Sequence, residues 1–176
     1  MTRHSVSLQK PMGIILEIDE ERPDLGILVR RIDENGSTAA ACRAKPMETD
    51  ICVRDRLLEI NGVDVLDETL ENVMDMIIEA PRDIDLVLGR DSDSIIVRWS
   101  NGIAVAAKVG DSFRSIASSD AYVKIPYLCE SGGCGTCEQT IVIGSCEPRY
   151  IRPCCARVPQ TDSEIFVSPS DRLKST

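Results

Sequence analysis

Apolar positions recur along this chain with two periods, and the change from one to the other marks out its elements. Alternation or short apolar runs predict strands over residues 5–10, 14–16, 26–32, 56–60 and 84–88. Asn61-Gly62 carries a hairpin signal directly after the fourth of these. Leu70, Val73, Met74, Ile77 and Ile78 instead follow the i, i+3, i+4, i+7, i+8 pattern of a helix with one buried stripe, and Thr69 stands where a cap is needed. A shorter helix is expected over residues 38–41 with Ser37 as its cap, and the charged residues 19–24 read as a loop. After Asp91-Ser92-Asp93-Ser94 the pattern restarts. Residues 95–99 and 103–108 form a hairpin about Asn101-Gly102, and residues 111–117 a short helix capped by Asp111 or Ser112. Further strands are predicted over 138–144, 150–158 and 164–167.

The break at 91–94 divides a chain of 176 residues, 43% apolar, which is long enough for two small cores. Four extended residues reach at most about 14 Å, so the two domains are expected to lie close together. The charge is divided unevenly. Residues 1–90 hold 11 Lys and Arg against 19 Asp and Glu, a net of −8, while residues 91–176 hold 9 against 10, a net of −1. With no basic patch and only 3% aromatic residues, nucleic acid is not expected as a partner. No run of eighteen apolar residues exists to cross a membrane as a helix. The N-terminal Met-Thr-Arg-His-Ser lacks the apolar stretch of a signal peptide, and any targeting segment is expected to have been removed.

The strongest chemical signal lies at Cys129-Glu130-Ser131-Gly132-Gly133-Cys134-Gly135-Thr136-Cys137, three cysteines spaced Cys-x4-Cys-x2-Cys. Gly132, Gly133 and Gly135 accept positive φ and let backbone amides point inward at an anionic cluster, with Ser131 beside them. The fourth thiolate must come from Cys146, Cys154 or Cys155. In an extended segment Cys154, Ala156 and Val158 share one face, and Cys155 and Arg157 the other. Because an inward Arg157 would be costly, alternation favours Cys154. Structural zinc remains an alternative, although its usual signature is two short cysteine pairs. Disulfides suit small secreted scaffolds that lack a core. A Rieske centre needs two histidines, and His4 is the only one, expected as a solvated residue at a strand edge. Cys42 and Cys52 have no activating neighbour in the sequence and read as inert thiols.

The triplet, entered through Ile125-Pro126-Tyr127, resembles the cluster loop of plant-type [2Fe–2S] ferredoxins. The resemblance covers residues 94–168 and implies a β-grasp domain holding a 2Fe-2S cluster on Cys129, Cys134, Cys137 and a downstream cysteine. On that last ligand it is divided: those ferredoxins place a small residue two after it, matching Cys154, and a proline four after it, matching Cys155. The short gap from Cys137 implies a trimmed loop, closer to bacterial members of the superfamily.

Residues 4–90, with Lys10-Pro11-Met12-Gly13-Ile14 and Asp55-Arg56-Leu57-Leu58-Glu59-Ile60-Asn61-Gly62, resemble a PDZ domain, a partly open β-barrel with two helices. The resemblance implies that Met12, Gly13 and Ile14 form a carboxylate-binding loop, supported by Lys10. A peptide would add along Ile14 to Leu16, facing Leu70, Met74 and Ile77, with Val73 and Ile78 as packing. Leu70 stands where members preferring Ser or Thr two residues from the peptide end carry His. Arg54 replaces the usual Gly before Asp55, and residues 45–49 look like an insertion.

The fold class expected is therefore α+β, with a PDZ-like domain at 4–90, a ferredoxin-like domain at 94–168 and a tail at 169–176. No Gly-rich nucleotide loop or His-led acid–base pair is present, so one-electron transfer is expected rather than catalysis on a substrate. The alternatives are a structural or assembly subunit whose cluster only stabilises the fold, and a piece of a reductase. Residues 6–17 also resemble the opening of plastid PDZ proteins from algae. That implies the plastid stroma, peripheral to the thylakoid membrane, with a photosynthetic membrane complex such as photosystem I as partner.

Overall fold

The computed structural model describes residues 1–19, 26–44 and 50–174, in two compact units, Met1–Ser92 and Asp93–Thr176. The fold is α+β. The expected loop at 19–24 and insertion at 45–49 fall almost wholly outside the described residues. No described helix is long and apolar enough to cross a membrane.

In the first unit, strands β1 (Thr2–Gln9), β2 (Ile14–Ile18), β3 (Ile27–Ile32), β4 (Arg56–Ile60), β5 (Val63–Asp64) and β6 (Asp83–Arg90) form one sheet. Its order is β1-β6-β4-β3-β2, with β5 paired to β4. Helix α1 (Ser37–Ala44) follows β3, and α2 (Leu70–Glu79) precedes β6. Strand alternation is visible in β6, where Ile84, Leu86 and Leu88 are buried, and in β3 from Ile27 to Val29, after which a register shift against β2 brings Ile32 to the buried side. Asn61 and Gly62 adopt positive φ, the conformation of a tight two-residue hairpin turn between β4 and β5. Thr69 caps α2 by accepting from the Asn72 amide at 3.2 Å. Val73 and Ile77 point into the core, whereas Ile78, expected as packing, is 68% exposed. Three apolar residues per two turns suffice for the buried stripe, and Ile78 falls beyond its edge.

Ser37 does not cap α1. Its hydroxyl donates to the carbonyls of Gln9 at 2.9 Å and Pro11 at 2.7 Å, tying the helix to the end of β1. His4 is not solvated either, because its side chain is 15% exposed and lies 3.4 Å from Asp55. Asp55 is fully buried and receives two bonds of 2.7 Å from Arg90 and one of 2.7 Å from the Cys52 amide. Arg54 keeps the left-handed backbone that its position demands, at φ 77, without being glycine.

In the second unit, β7 (Ile95–Trp99), β8 (Ala104–Ala107), β9 (Gln139–Ile143), β10 (Arg149–Ile151) and β11 (Ile165–Pro169) form a sheet of order β10-β9-β11-β7-β8. Only β11 and β7 run parallel. Helix α3 (Phe113–Ser115), capped by Ser112, continues into a π-helical turn at Ile116–Asp120. Trp99, Ile103, Phe113, Ile116 and Ile165 are all at most 1% exposed and form this unit's core. The strand expected over 150–158 is not continuous. It ends at Ile151, and a turn follows in which the amides of Cys155 and Ala156 both donate to the Arg152 carbonyl, at 3.0 and 2.9 Å. Pro153 supplies no amide there, which removes a ladder bond and favours the turn.

Candidate metal centre and peptide groove

The cysteine loop is organised before any metal is considered. Cys129 Sγ accepts the Cys134 amide at 3.3 Å. Backbone and side-chain bonds from Cys134, and then from Ser131, hold the Cys129 thiol down to about 6, so it is an anion at neutral pH. Cys134 Sγ lies 2.6 Å from the Thr136 hydroxyl, and the Glu138 amide closes the loop onto Gly135 at 2.9 Å. Gly132 and Gly135 have positive φ, at 78 and 77, as the amide-inward geometry requires. Gly133 does not share it. The third left-handed residue is Glu130, at φ 55, whose carboxylate is gripped by Arg114 from α3 at 2.8 and 2.9 Å. Arg114 also sits 4.9 Å from the Tyr127 ring centroid.

The downstream segment is brought to this loop by backbone bonds. Phe113 donates to the Ala156 carbonyl at 3.3 Å, Val158 to Asp111 at 2.9 Å and Gly110 to Val158 at 2.9 Å. Its turn places Cys154 Sγ 3.3 Å from Cys137 Sγ. Cys155 reaches the loop as well, against Gly132: a Cβ added there would come 2.9 Å from Cys155 Sγ. Arg152 donates from Nη1 to the Gly132 carbonyl, and its Nη2 lies 3.8 Å from where a Gly135 Cβ would be. Loss of water contact, then the bond with Cys154, hold the Cys155 thiol above its ordinary value. Cys146 is exposed in the stretch after β9, where its amide donates to the Ile143 carbonyl at 3.0 Å.

The thiols thus meet as Cys129 with Cys134 and Cys137 with Cys154, and Cys155 bonds to Cys154 as well. Among the described residues no three His, Cys, Asp or Glu side chains are grouped about a single point. Paired thiols suit two irons, and a second feature fits the same group. Tyr127 Oη is buried with no hydrogen-bond partner, an orphan donor that an added sulfur acceptor would satisfy. Burial, and then the Cys137 charge, push its phenol up, so it keeps its proton. The sequence flagged Tyr127 only as part of the run into Cys129. Glu130, Arg114 and Arg152 carried no signal, because their partners are separated by 16 to 20 positions.

In the first unit, β2 is an edge strand, paired among the described strands with β3. Next to it lies an apolar pocket lined by Met12, Ile14, Leu16, Met74 and Ile77, with Val29 and the β4 and β6 leucines behind. Leu70 is half-buried and outside that lining. Gly13 has φ 71, and any Cβ on it would meet the Gly36 backbone at 2.8 Å. Lys10 does not serve the loop. Its ammonium is held by the carbonyls of Ile77, Ile78 and Ala80 at 2.8, 3.0 and 2.5 Å, where it caps the C-terminus of α2.

No curated protein matches the chain. One solved structure that the chain is similar to is the second PDZ domain of Dlg1 from the choanoflagellate Monosiga brevicollis, 21% identical over 49% of this chain and 90% of that one, with a TM-score of 0.40. A family model described as a 2Fe-2S iron-sulfur cluster binding domain matches residues 99–159, a span that contains all of the paired thiols. The cofactor of the second unit is therefore a [2Fe–2S] cluster.

Proposed function

We propose that this protein relays single electrons while held to a partner through its first unit, and that it does not itself transform a substrate. The observation that carries the reading is the pairing of Cys129 with Cys134 and Cys137 with Cys154 in a loop already supplied with sulfur-directed donors. On this reading those four cysteines are the ligands. When bound, the cluster supplies a one-electron couple, near −400 mV in plant-type centres. Ser131, Gly132, Gly133 and Gly135 shape the loop about it. The amide of Cys134 and the hydroxyl of Tyr127 offset negative charge on sulfur, and Arg114 and Arg152 brace the loop from outside it.

Docking is assigned to the edge of β2. A partner's C-terminal segment would add there as a strand, its carboxylate at Met12-Gly13-Ile14 and an apolar side chain in the pocket by Met74 and Ile77. The charge supports a fixed complex over a diffusing carrier, because residues 91–176 carry only −1 and steer weakly at long range. By the resemblance of residues 6–17, the proposal extends to the plastid stroma and to a photosynthetic membrane complex, with the acceptor side of photosystem I as the site of attachment.

A structural or assembly role has one observation in its favour: the same thiols would tie the loop at 129–137 to the turn at 152–156, stapling the unit. Metal and sulfide analysis with EPR and redox titration separates the two. A reversible one-electron reduction with two irons and two sulfides per chain is expected for the relay. A cluster that cannot be reduced without loss of iron would leave only the structural role.

A further inference from the structure

Five thiols, not four, reach the cluster loop. Cys154 and Cys155 leave the same turn, whose amides at Cys155 and Ala156 share the Arg152 carbonyl. Cys154 faces Cys137 at 3.3 Å, while Cys155, which also bonds to Cys154, lies against Gly132 in the stretch between Cys129 and Cys134. Gly132 stands opposite it with a left-handed backbone at φ 78, and a Cβ there would sit 2.9 Å from Cys155 Sγ, so the thiol would have to turn away. The Cys155 thiol is meanwhile parked 3.5 Å from the Arg152 carbonyl, a weak contact that is readily released. Arg152 binds the Gly132 carbonyl from the same turn and so keeps the thiol and the loop together.

Resting on the four-thiolate reading above, we propose that Cys155 is a reserve ligand, able to take the place of Cys154 on iron without the cluster leaving the protein. In the exchange one iron–sulfur bond to Cys155 forms and one to Cys154 breaks. The proton lost by the incoming thiol is taken up by the outgoing thiolate, and no electron is transferred. Because the two cysteines are adjacent on one turn, a change of side-chain rotamer and a small shift of that turn suffice. Cys155 is exposed whereas Cys154 is half-buried, so the exchanged ligand is the one open to solvent. Thiolate is the ligand class that iron–sulfur centres select, and a neighbouring hydroxyl would not substitute for it.

The test uses the full chain, loaded and read by iron and sulfide content, EPR and thiol alkylation. Cys154→Ser is expected to keep iron and sulfide near the wild-type ratio with altered g values, and to lose iodoacetamide labelling at Cys155. Cys154→Ser/Cys155→Ser is expected to fall by about tenfold or more in iron. A Cys154→Ser protein as empty as the double variant would overturn the proposal. So would bleaching of Cys155→Ser alone, which would make Cys155 the resident ligand. Cys137→Ser, which has no spare thiol beside it, should lose the cluster in every case. If it stays loaded, the four-thiolate reading itself fails, a result separable from failure of the exchange.

Discussion

Removing the carboxylate of Asp55 should be the most damaging single change in the first unit. Asp55 is 0% exposed and takes three bonds of 2.7 Å, two from Arg90 and one from the Cys52 amide. Arg90 is itself only 8% exposed. Asp55→Ala would leave its guanidinium buried, with the 2.9 Å bond to Asp50 as its remaining carboxylate contact. Breaking a buried pair from one side costs about 3 to 5 kcal/mol. Asp50, whose side chain is 43% exposed, stays in place and holds the cost toward about 3 kcal/mol. For a unit of this size that corresponds to a fall in Tm of roughly 12 to 24 °C. Far-UV circular dichroism would follow the melt of both units, and fluorescence of the single Trp99 would follow the second. Asp55→Ala/Arg90→Met, which removes both charges, should recover most of the loss. A cost below about 1 kcal/mol in the single variant, the range of an exposed ion pair, would refute the reasoning.

Three further outcomes are expected. Met74→Asp, placed in the pocket lining on a residue 42% exposed, should weaken binding of a peptide with an apolar C-terminal residue by about tenfold or more. Isothermal titration would measure it, and equal binding of the amidated peptide would rule out carboxylate capture. Gly13→Glu is a poorer probe, since it also collides with Gly36 at 2.8 Å. In protein stripped of iron, Cys129 should alkylate with a midpoint at about pH 6 instead of the ordinary 9.0. Its folded value is depressed, so its contribution to stability is complete above the ordinary thiol range and disappears as pH falls through about 6. A midpoint near the ordinary value would show that the loop does not preorganise the anion. Tyr127→Phe should move the reduction potential negative by about 40 mV, the equivalent of one net hydrogen bond of about 1 kcal/mol. An unchanged potential would mean that the orphan hydroxyl does not address the cluster.

Much of this protein could be read directly along the chain. The periods of apolar residues located most strands and α2, because a strand or helix buries a face whose repeat is set by its own backbone geometry. Thr69 capped α2 and Asn61-Gly62 turned as expected, since caps and tight turns are closed by residues two or three apart. The Cys-x4-Cys-x2-Cys spacing pointed to the cluster for the same reason: three ligands on one loop need no other part of the fold to bring them together.

The tertiary structure decided whatever depended on residues distant in sequence. Alternation separated Cys154 from Cys155 on the premise of an extended strand, but the chain turns at Pro153 and carries both thiols to the loop. Lys10, expected at the carboxylate loop, is captured by carbonyls some seventy residues on, because the C-terminal end of α2 presents unpaired acceptors to the nearest cation. Leu70 lies at the helical spacing of Met74 but outside the pocket, which takes Met74 and Ile77 from later turns of the helix. Glu130, not Gly133, takes the left-handed backbone, and Arg114 holds it there. Local order follows from the repeat of the backbone and can be counted along the chain. Which distant groups meet depends on how separate elements pack, and no spacing in the sequence records it.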